Sequence, residues 1–211
     1  MNKREKIEAS FARYVPDEFV ANLVDLLFSE KIHFKVVKPR RTKLGDYRPP
    51  YNGNPHRITI NSNLNKYAFL ITTLHEFAHL KTYNLYGNKI KAHGKEWQEE
   101  FRKLLAPLLV SQSIPDDLKE VLNKSIRNIK AASCTDMELY RVLKRYDENK
   151  EGFVLLENLE INERFQLGKR LFERGTLRTK RYLCKEVTTG RQFLVSRLAE
   201  VKPIMQEQNE K

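Results

Sequence analysis

The chain is expected to fold as an α+β protein in which helices pack on a short β-sheet, followed by a small basic antiparallel β unit. Three observations predict this. Apolar residues recur at helical spacing through residues 64–83 and again through 97–108. Two short stretches upstream, Ile32 to Val37 and Arg57 to Asn61, alternate as strands do. From about Phe153 the pattern turns β-like and the composition turns basic. With 211 residues there is room for one fair-sized domain plus a small appendage.

The elements follow in order. Met1-Asn2-Lys3-Arg4-Glu5-Lys6 is charged and leads into an amphipathic segment, not the apolar core of a signal peptide. Pro16-Asp17-Glu18 opens a helix marked by Phe19, Leu23, Leu26 and Leu27. A strand over Ile32 to Val37 comes next. A basic loop rich in Pro and Gly, Arg40 to His56, leads into the strand at Arg57, a candidate for the sheet edge that would hold an extended substrate. Ser62 or Asn61 can cap a helix beginning near Leu64 and running through Leu70, Ile71, Leu74 and Phe77 to about Tyr83, with Gly87 in the turn beyond. Trp97, Phe101, Leu104, Leu105 and Leu108 give the next helix its apolar face, and Pro107 should kink or end it. Pro115 to Ile129 reads as a further helix, and another starts near Met137 behind Ser133-Cys134-Thr135-Asp136. Phe153 to Leu156, Arg164 to Leu167 and Arg181 to Lys185 read as strands. Thr188-Thr189-Gly190 makes a hairpin turn before Arg191 to Val195. These readings divide the chain into a domain over 1–130, a helical linker over 131–150, a β unit over 151–203 and a tail over 204–211.

Within the first long helix lies His75-Glu76-Phe77-Ala78-His79. At 3.6 residues per turn the two histidines sit about 40° apart on one face, so both rings can reach one ion. Glu76 lies about 100° further round, placed to take a proton from water at that ion and not to ligate it. The bland alternative is an amphipathic helix with two hydrogen-bonded core histidines. A tetrahedral catalytic zinc needs a third protein ligand and one open position. His93, fourteen residues on, is one candidate, and Glu96, Glu99 and Glu100 are others. The extended metzincin pattern fails, because Thr82 replaces its glycine and Leu85 its third histidine.

Four pieces together resemble the SprT-like metalloprotease family, which includes the Spartan proteases. They are Thr42-Lys43-Leu44-Gly45-Asp46-Tyr47-Arg48, Arg57-Ile58-Thr59-Ile60-Asn61, Thr73-Leu74-His75-Glu76-Phe77-Ala78-His79 and His93-Gly94-Lys95-Glu96-Trp97. The resemblance covers about residues 10 to 110. It implies a small zincin-like metalloprotease domain with one Zn2+ held by His75, His79 and His93, and Glu76 as the catalytic base. It also implies protein substrates bound or crosslinked to DNA. Many members end in a zinc ribbon, but here Cys184 stands alone, and one thiolate cannot complete a four-ligand site. Packing of Phe165, Phe172, Tyr182, Phe193 and Leu194 is expected to replace that metal.

A net charge of +12 favours polyanionic partners. Residues 164 to 197 hold ten Lys and Arg against Glu173 and Glu186, and Lys31 to Arg48 is a second basic stretch. Arg170, Arg174, Arg178, Lys180, Arg181 and Arg191 are the candidate contacts to DNA, single-stranded by preference. The interleaved aromatics would either stack on bases or form the β core. No apolar run reaches the length of a membrane span, and the two cysteines stand fifty residues apart. A soluble, cytoplasmic protein is expected, nucleoid-associated if bacterial. The readings left open are a zinc endopeptidase, a DNA-binding scaffold with a structural metal, and a zinc hydrolase of non-peptide substrates. Tyr47, Tyr83 and Arg48 are candidates to stabilise an oxyanion.

Overall fold

The computed structural model describes residues 2–40, 42–127, 136–148 and 152–204. The chain divides into two compact units, Met1–Asp147 and Glu148–Lys211. The architecture is α+β, as the periodicities predict.

The first unit runs α1 (Lys3–Phe11), a 3-10 turn (Asp17–Phe19), α2 (Val20–Phe28), β1 (Ile32–Val37), β2 (Gly45–Arg48), β3 (His56–Asn61), α3 (Lys66–Tyr86), α4 (Lys95–Val110), α5 (Asp116–Arg127) and α6 (Met137–Lys144). β3 is the middle strand, parallel to β1 and antiparallel to β2. The strand at Arg57 is therefore not the sheet edge; β1 and β2 are. β2 lies inside the stretch read as loop, and its four residues are too few to show a period.

α3 carries the histidine motif and is buried almost all round, as a central helix must be. It starts later than expected because Asn65 caps it, its side chain accepting from the Ala68 N–H at 2.9 Å. Asn61 is unavailable as a cap. Its amide donates to the carbonyls of Arg40 (3.1 Å) and Lys43 (2.9 Å), and its oxygen accepts from the Arg40 guanidinium. Beyond Tyr86, Gly87 ends the helix at φ 64°, a conformation glycine adopts without strain. Pro107 does not end α4, which continues to Val110. The proline sits in the last turn, and burial of Leu105 and Leu108 holds that turn in place.

The segment expected as a helical linker belongs, where described, to the first unit. Leu139 and Val142 of α6 are buried in the core that also contains Leu118 and Leu122 of α5. Asn65 ties α6 to the start of α3, donating to the Leu143 carbonyl at 2.9 Å and to Asp147 at 2.6 Å. Asp136 caps α6 by accepting from the N–H groups of Glu138 and Leu139. Ser133, Cys134, Thr135, Arg41 and all but the first residue of the expected 204–211 tail lie outside the described residues.

The second unit contains β4 (Val154–Leu155), a 3-10 turn (Leu156–Asn158), β5 (Arg164–Leu167), β6 (Arg170–Glu173), β7 (Leu177–Arg178), β8 (Arg181–Glu186), β9 (Gln192–Ser196) and β10 (Glu200–Ile204). The strands pair antiparallel in the order β4-β10-β5-β6-β8-β7, with β9 also on β8. The β8–β9 hairpin closes as its sequence suggests, with the Gly190 N–H bonded to the Glu186 carbonyl. Phe165, Phe172, Tyr182 and Cys184 are buried together with Leu156, Leu159, Val195 and Val201, and Phe193 packs against them. Leu194 does not join this core. It lies on the opposite face of β9 from Val195 and is 54% exposed.

Burial raises the Cys184 thiol above its ordinary pKa. In a Cys134→Ser background, Cys184 is therefore expected to react with an aromatic disulfide reagent only after denaturant is added. Rapid labelling in native buffer would contradict a closed core. Among the described residues, no helix is long and apolar enough to cross a membrane.

Candidate metal centre

One turn of α3 separates His75 from His79, and both rings emerge on the side facing the start of α4. His93 precedes α4 with φ 62°, a left-handed conformation uncommon outside glycine. Gly94 makes that turn possible. Its N–H bonds to the Lys91 carbonyl at 2.9 Å, and a Cβ there would stand 2.9 Å from the same oxygen. Gln98 secures the turn further by donating to the His93 carbonyl at 3.1 Å. The result brings three Nε2 atoms together: His75 to His79 at 3.3 Å, His75 to His93 at 3.2 Å and His79 to His93 at 3.0 Å.

That triangle fits a metal ion. A tetrahedral zinc with bonds of about 2.05 Å spaces its nitrogen ligands about 3.3 Å apart. Hydrogen bonding explains the triangle less well, since an Nε2 proton can be shared along one edge but not along all three. Burial, and then mutual repulsion, lowers His75 to about 3 and His79 to about 4. His93 is lowered by burial. All three are therefore neutral near pH 7, the form that ligates. The indole of Trp97 forms a floor beneath them, with ring centroids 4.7 Å from His75, 5.3 Å from His79 and 4.7 Å from His93. Phe101 backs Trp97 at 4.8 Å. Of the competing carboxylates, Glu99 pairs with Arg102 and Glu100 with Lys103, and none of the three enters the cluster.

Glu76, only 6% exposed, points from α3 toward β2. Its carboxyl group is raised to about 8, first by burial and then by Asp46, while a hydrogen bond from the Tyr47 backbone N–H works the other way. A divalent cation among the imidazoles would pull that value back down.

Residues 16–117 match the SprT-like family. That match lies within the first unit, whose α+β architecture is the one expected of a zincin-like domain of this family. No curated protein and no solved structure matches the chain.

Within the matched region β2 is pressed against the motif helix. A Cβ on Gly45 would stand 2.4 Å from Glu76 Oε1 and 2.8 Å from both Glu76 Cγ and Thr72 Cγ2. Glycine at 45 is thus required by close approach. The Gly45→Ala variant is expected to lose about 1–3 kcal/mol of stability by overpacking and to displace the Glu76 carboxyl. Chemical denaturation checks the first effect; unchanged stability would mean that the strand moves aside freely.

Tyr47, next on the same face of β2, stacks nearly parallel on His79, with centroids 6.2 Å apart. Its hydroxyl hydrogen-bonds with His56 Nδ1 at 2.9 Å, and burial pushes its pKa up. Tyr83 lies edge-on to His56 at 5.7 Å. Arg48 falls on the opposite face of β2 and pairs with Asp46, so it leaves the oxyanion candidates. The contribution of β2 was not visible in the sequence; Gly45 beside an alternating Asp46-Tyr47-Arg48 was the available signal.

The basic residues of the second unit separate into different environments. Arg170 stacks on Phe193 (4.2 Å) and Phe172 (5.1 Å) and pairs with Glu186. Arg174 lies 4.0 Å over Tyr182, with its Nε buried and unpartnered among the described residues. Both guanidinium groups lie over aromatic rings, although the Arg170 side chain stays half exposed. Arg178 and Arg181 stand directly opposite each other on β7 and β8, with Lys180 in the turn between. Arg191 is exposed at the far end of the β8–β9 hairpin. Lys185, exposed on β8, belongs with these cations and was not among the candidates. The aromatics Phe165, Phe172 and Tyr182 face the core, so they are not a platform for bases.

Proposed function

We propose that the chain is a zinc-dependent endopeptidase that cuts polypeptide bound or crosslinked to DNA. The observation that carries this reading is the convergence of three neutral imidazoles beside a buried carboxylate, in a domain of the SprT-like family. His75, His79 and His93 would hold the ion. Zinc bound there supplies Lewis acidity and a water of lowered pKa. Glu76 takes a proton at its carboxylate from the attacking water and returns it to the leaving amine. The backbone N–H of Tyr47 and the tight contact at Gly45 fix the direction of that carboxylate. Tyr47, stacked on His79, is the candidate to steady the developing oxyanion, and His56 orients its hydroxyl.

DNA association rests on charge. Arg178, Lys180, Arg181, Lys185 and Arg191 have no carboxylate within ion-pair distance among the described residues, whereas Arg170 and Arg197 are paired. Affinity for single-stranded DNA is expected to fall steeply between about 50 and 200 mM salt, as counterion release requires. Replacing Arg178, Arg181 and Lys185 by Gln should flatten that dependence.

The deciding experiment mixes the purified chain with a DNA-binding protein substrate, with and without single-stranded DNA and a zinc chelator. Chelator-sensitive cleavage, faster with DNA, supports the endopeptidase. A preparation with one zinc per chain that cuts nothing selects the scaffold reading. A structural site, however, gives no reason to bury, beside its ligands, a carboxyl group with no ion pair among the described residues.

A further inference from the structure

The strand register of the first unit exposes a feature that the metal centre does not use. Alternation sends Phe34, Ile58 and Tyr47 to one face of the sheet, toward the core. The other face carries His33, Arg57 and Arg48 in one row across all three strands, with Lys35 in the next row. Like charges directly opposite one another on paired strands are destabilising unless an anion lies over them. Asp46 is the only carboxylate on that face of the strands among the described residues, and Lys43 and Arg48 already share it. Arg57 and Lys35 have no ion pair among the described residues.

Beside this row lies a groove of about 780 Å³, lined by Lys31 and His33 at the start of β1 and by the 50–55 segment joining β2 to β3. Among the described residues no carboxylate lines it. Tyr51 and Asn54 close a tight hairpin tip through mutual backbone hydrogen bonds of 3.2 and 3.0 Å. Asn52 and Gly53 between them have φ 46° and 76°, as a two-residue type I′ turn requires. This tip holds the Tyr51 ring out in solvent, 75% exposed.

We propose that this outer face is a second binding surface, for single-stranded nucleic acid. Arg48, Arg57 and Lys35 would meet phosphates, and Tyr51 would stack on a base at the mouth of the groove. An exposed aromatic ring beside cations, of which Arg57 and Lys35 have no ion pair among the described residues, is a combination that grips single strands regardless of sequence. An acidic polypeptide would use the cations but not the ring. The location adds a consequence for the proposed protease. β2 presents Arg48 to the outer face and Gly45 and Tyr47 to Glu76, so a strand held here lies one sheet's thickness from the metal centre.

The test uses the full chain and fluorescence anisotropy with a labelled oligothymidylate across a salt series. Binding is read without cleavage, so its outcome is separate from that of the endopeptidase reading. The variant Lys35→Gln/Arg48→Gln/Arg57→Gln is expected to bind about tenfold more weakly at 50 mM salt. Its log–log salt slope should be shallower by roughly 2, since each phosphate contact on a single strand contributes about 0.7. Tyr51→Ser, at an exposed position that cannot endanger the fold, is expected to weaken binding about tenfold with the slope unchanged. If either variant binds as wild type does, the assignment fails. It fails equally if polyglutamate displaces the oligonucleotide as well as unlabelled oligothymidylate of equal charge does.

Discussion

Glu76→Gln is expected to abolish peptide cleavage while leaving the metal site and the fold intact. Loss of a general base lowers kcat by about 10²–10⁴-fold. The substitution is close to isosteric, so it meets the same walls at Gly45 and Thr72, and the amide oxygen can still accept the Tyr47 N–H. It also removes a buried carboxyl group that forms no ion pair among the described residues, so the variant should be at least as stable as wild type. The measurement is zinc content, thermal unfolding and cleavage rate on one preparation of each protein. Zinc at one per chain with the rate gone supports the assigned role. Retention of more than a tenth of the rate would mean that another group moves the proton, and Glu76 would then be structural.

How much of this centre is legible in the sequence depends on how local each part is. His75, Glu76 and His79 lie within one helical turn, so 3.6-residue geometry alone places them. His93 is fourteen residues beyond His79, and the sequence leaves Glu96, Glu99 and Glu100 in competition with it. What decides among them is a left-handed turn at His93 and the missing Cβ of Gly94, neither of which has a period to detect. β2 is hidden for a different reason. Its four residues touch α3 through a glycine and a backbone N–H, and such contacts leave little trace in side-chain pattern. The same limit explains the basic residues of the second unit. Arg170, Arg174, Arg178 and Arg181 look alike in sequence, yet two cover aromatic rings of the core and two face each other in solvent. Register sorts them, and register is a long-range property. Asn65 shows the same effect at a helix start. Ser62 and Asn61 have equal capping chemistry, but Arg40 and Lys43 occupy the Asn61 side chain and the cap falls to Asn65.

His93→Gly separates the cost of building the site from its use. The native residue sits at φ 62°, where a side chain with a Cβ pays roughly 1–2 kcal/mol that glycine does not. Glycine in turn loses more chain entropy on folding, by roughly 0.5–1 kcal/mol, so the metal-free stability should stay within about 1 kcal/mol of wild type. Metal binding should collapse. Removing a partner that merely orients a ligand costs about 10–100-fold in affinity, so deleting the ligand itself is expected to cost more than about 100-fold. At a zinc concentration that saturates wild type, a loss of that size removes about 2.7 kcal/mol of ligand-linked stabilisation. Thermal unfolding with and without added zinc reads this directly: wild type should shift upward with zinc and the variant should barely move. Equal shifts in the two proteins would show that the ion does not sit where these three imidazoles meet. A variant far less stable even without metal would show instead that His93 holds the turn into α4 by packing on Trp97. The strain at this position would then serve the fold and not the metal.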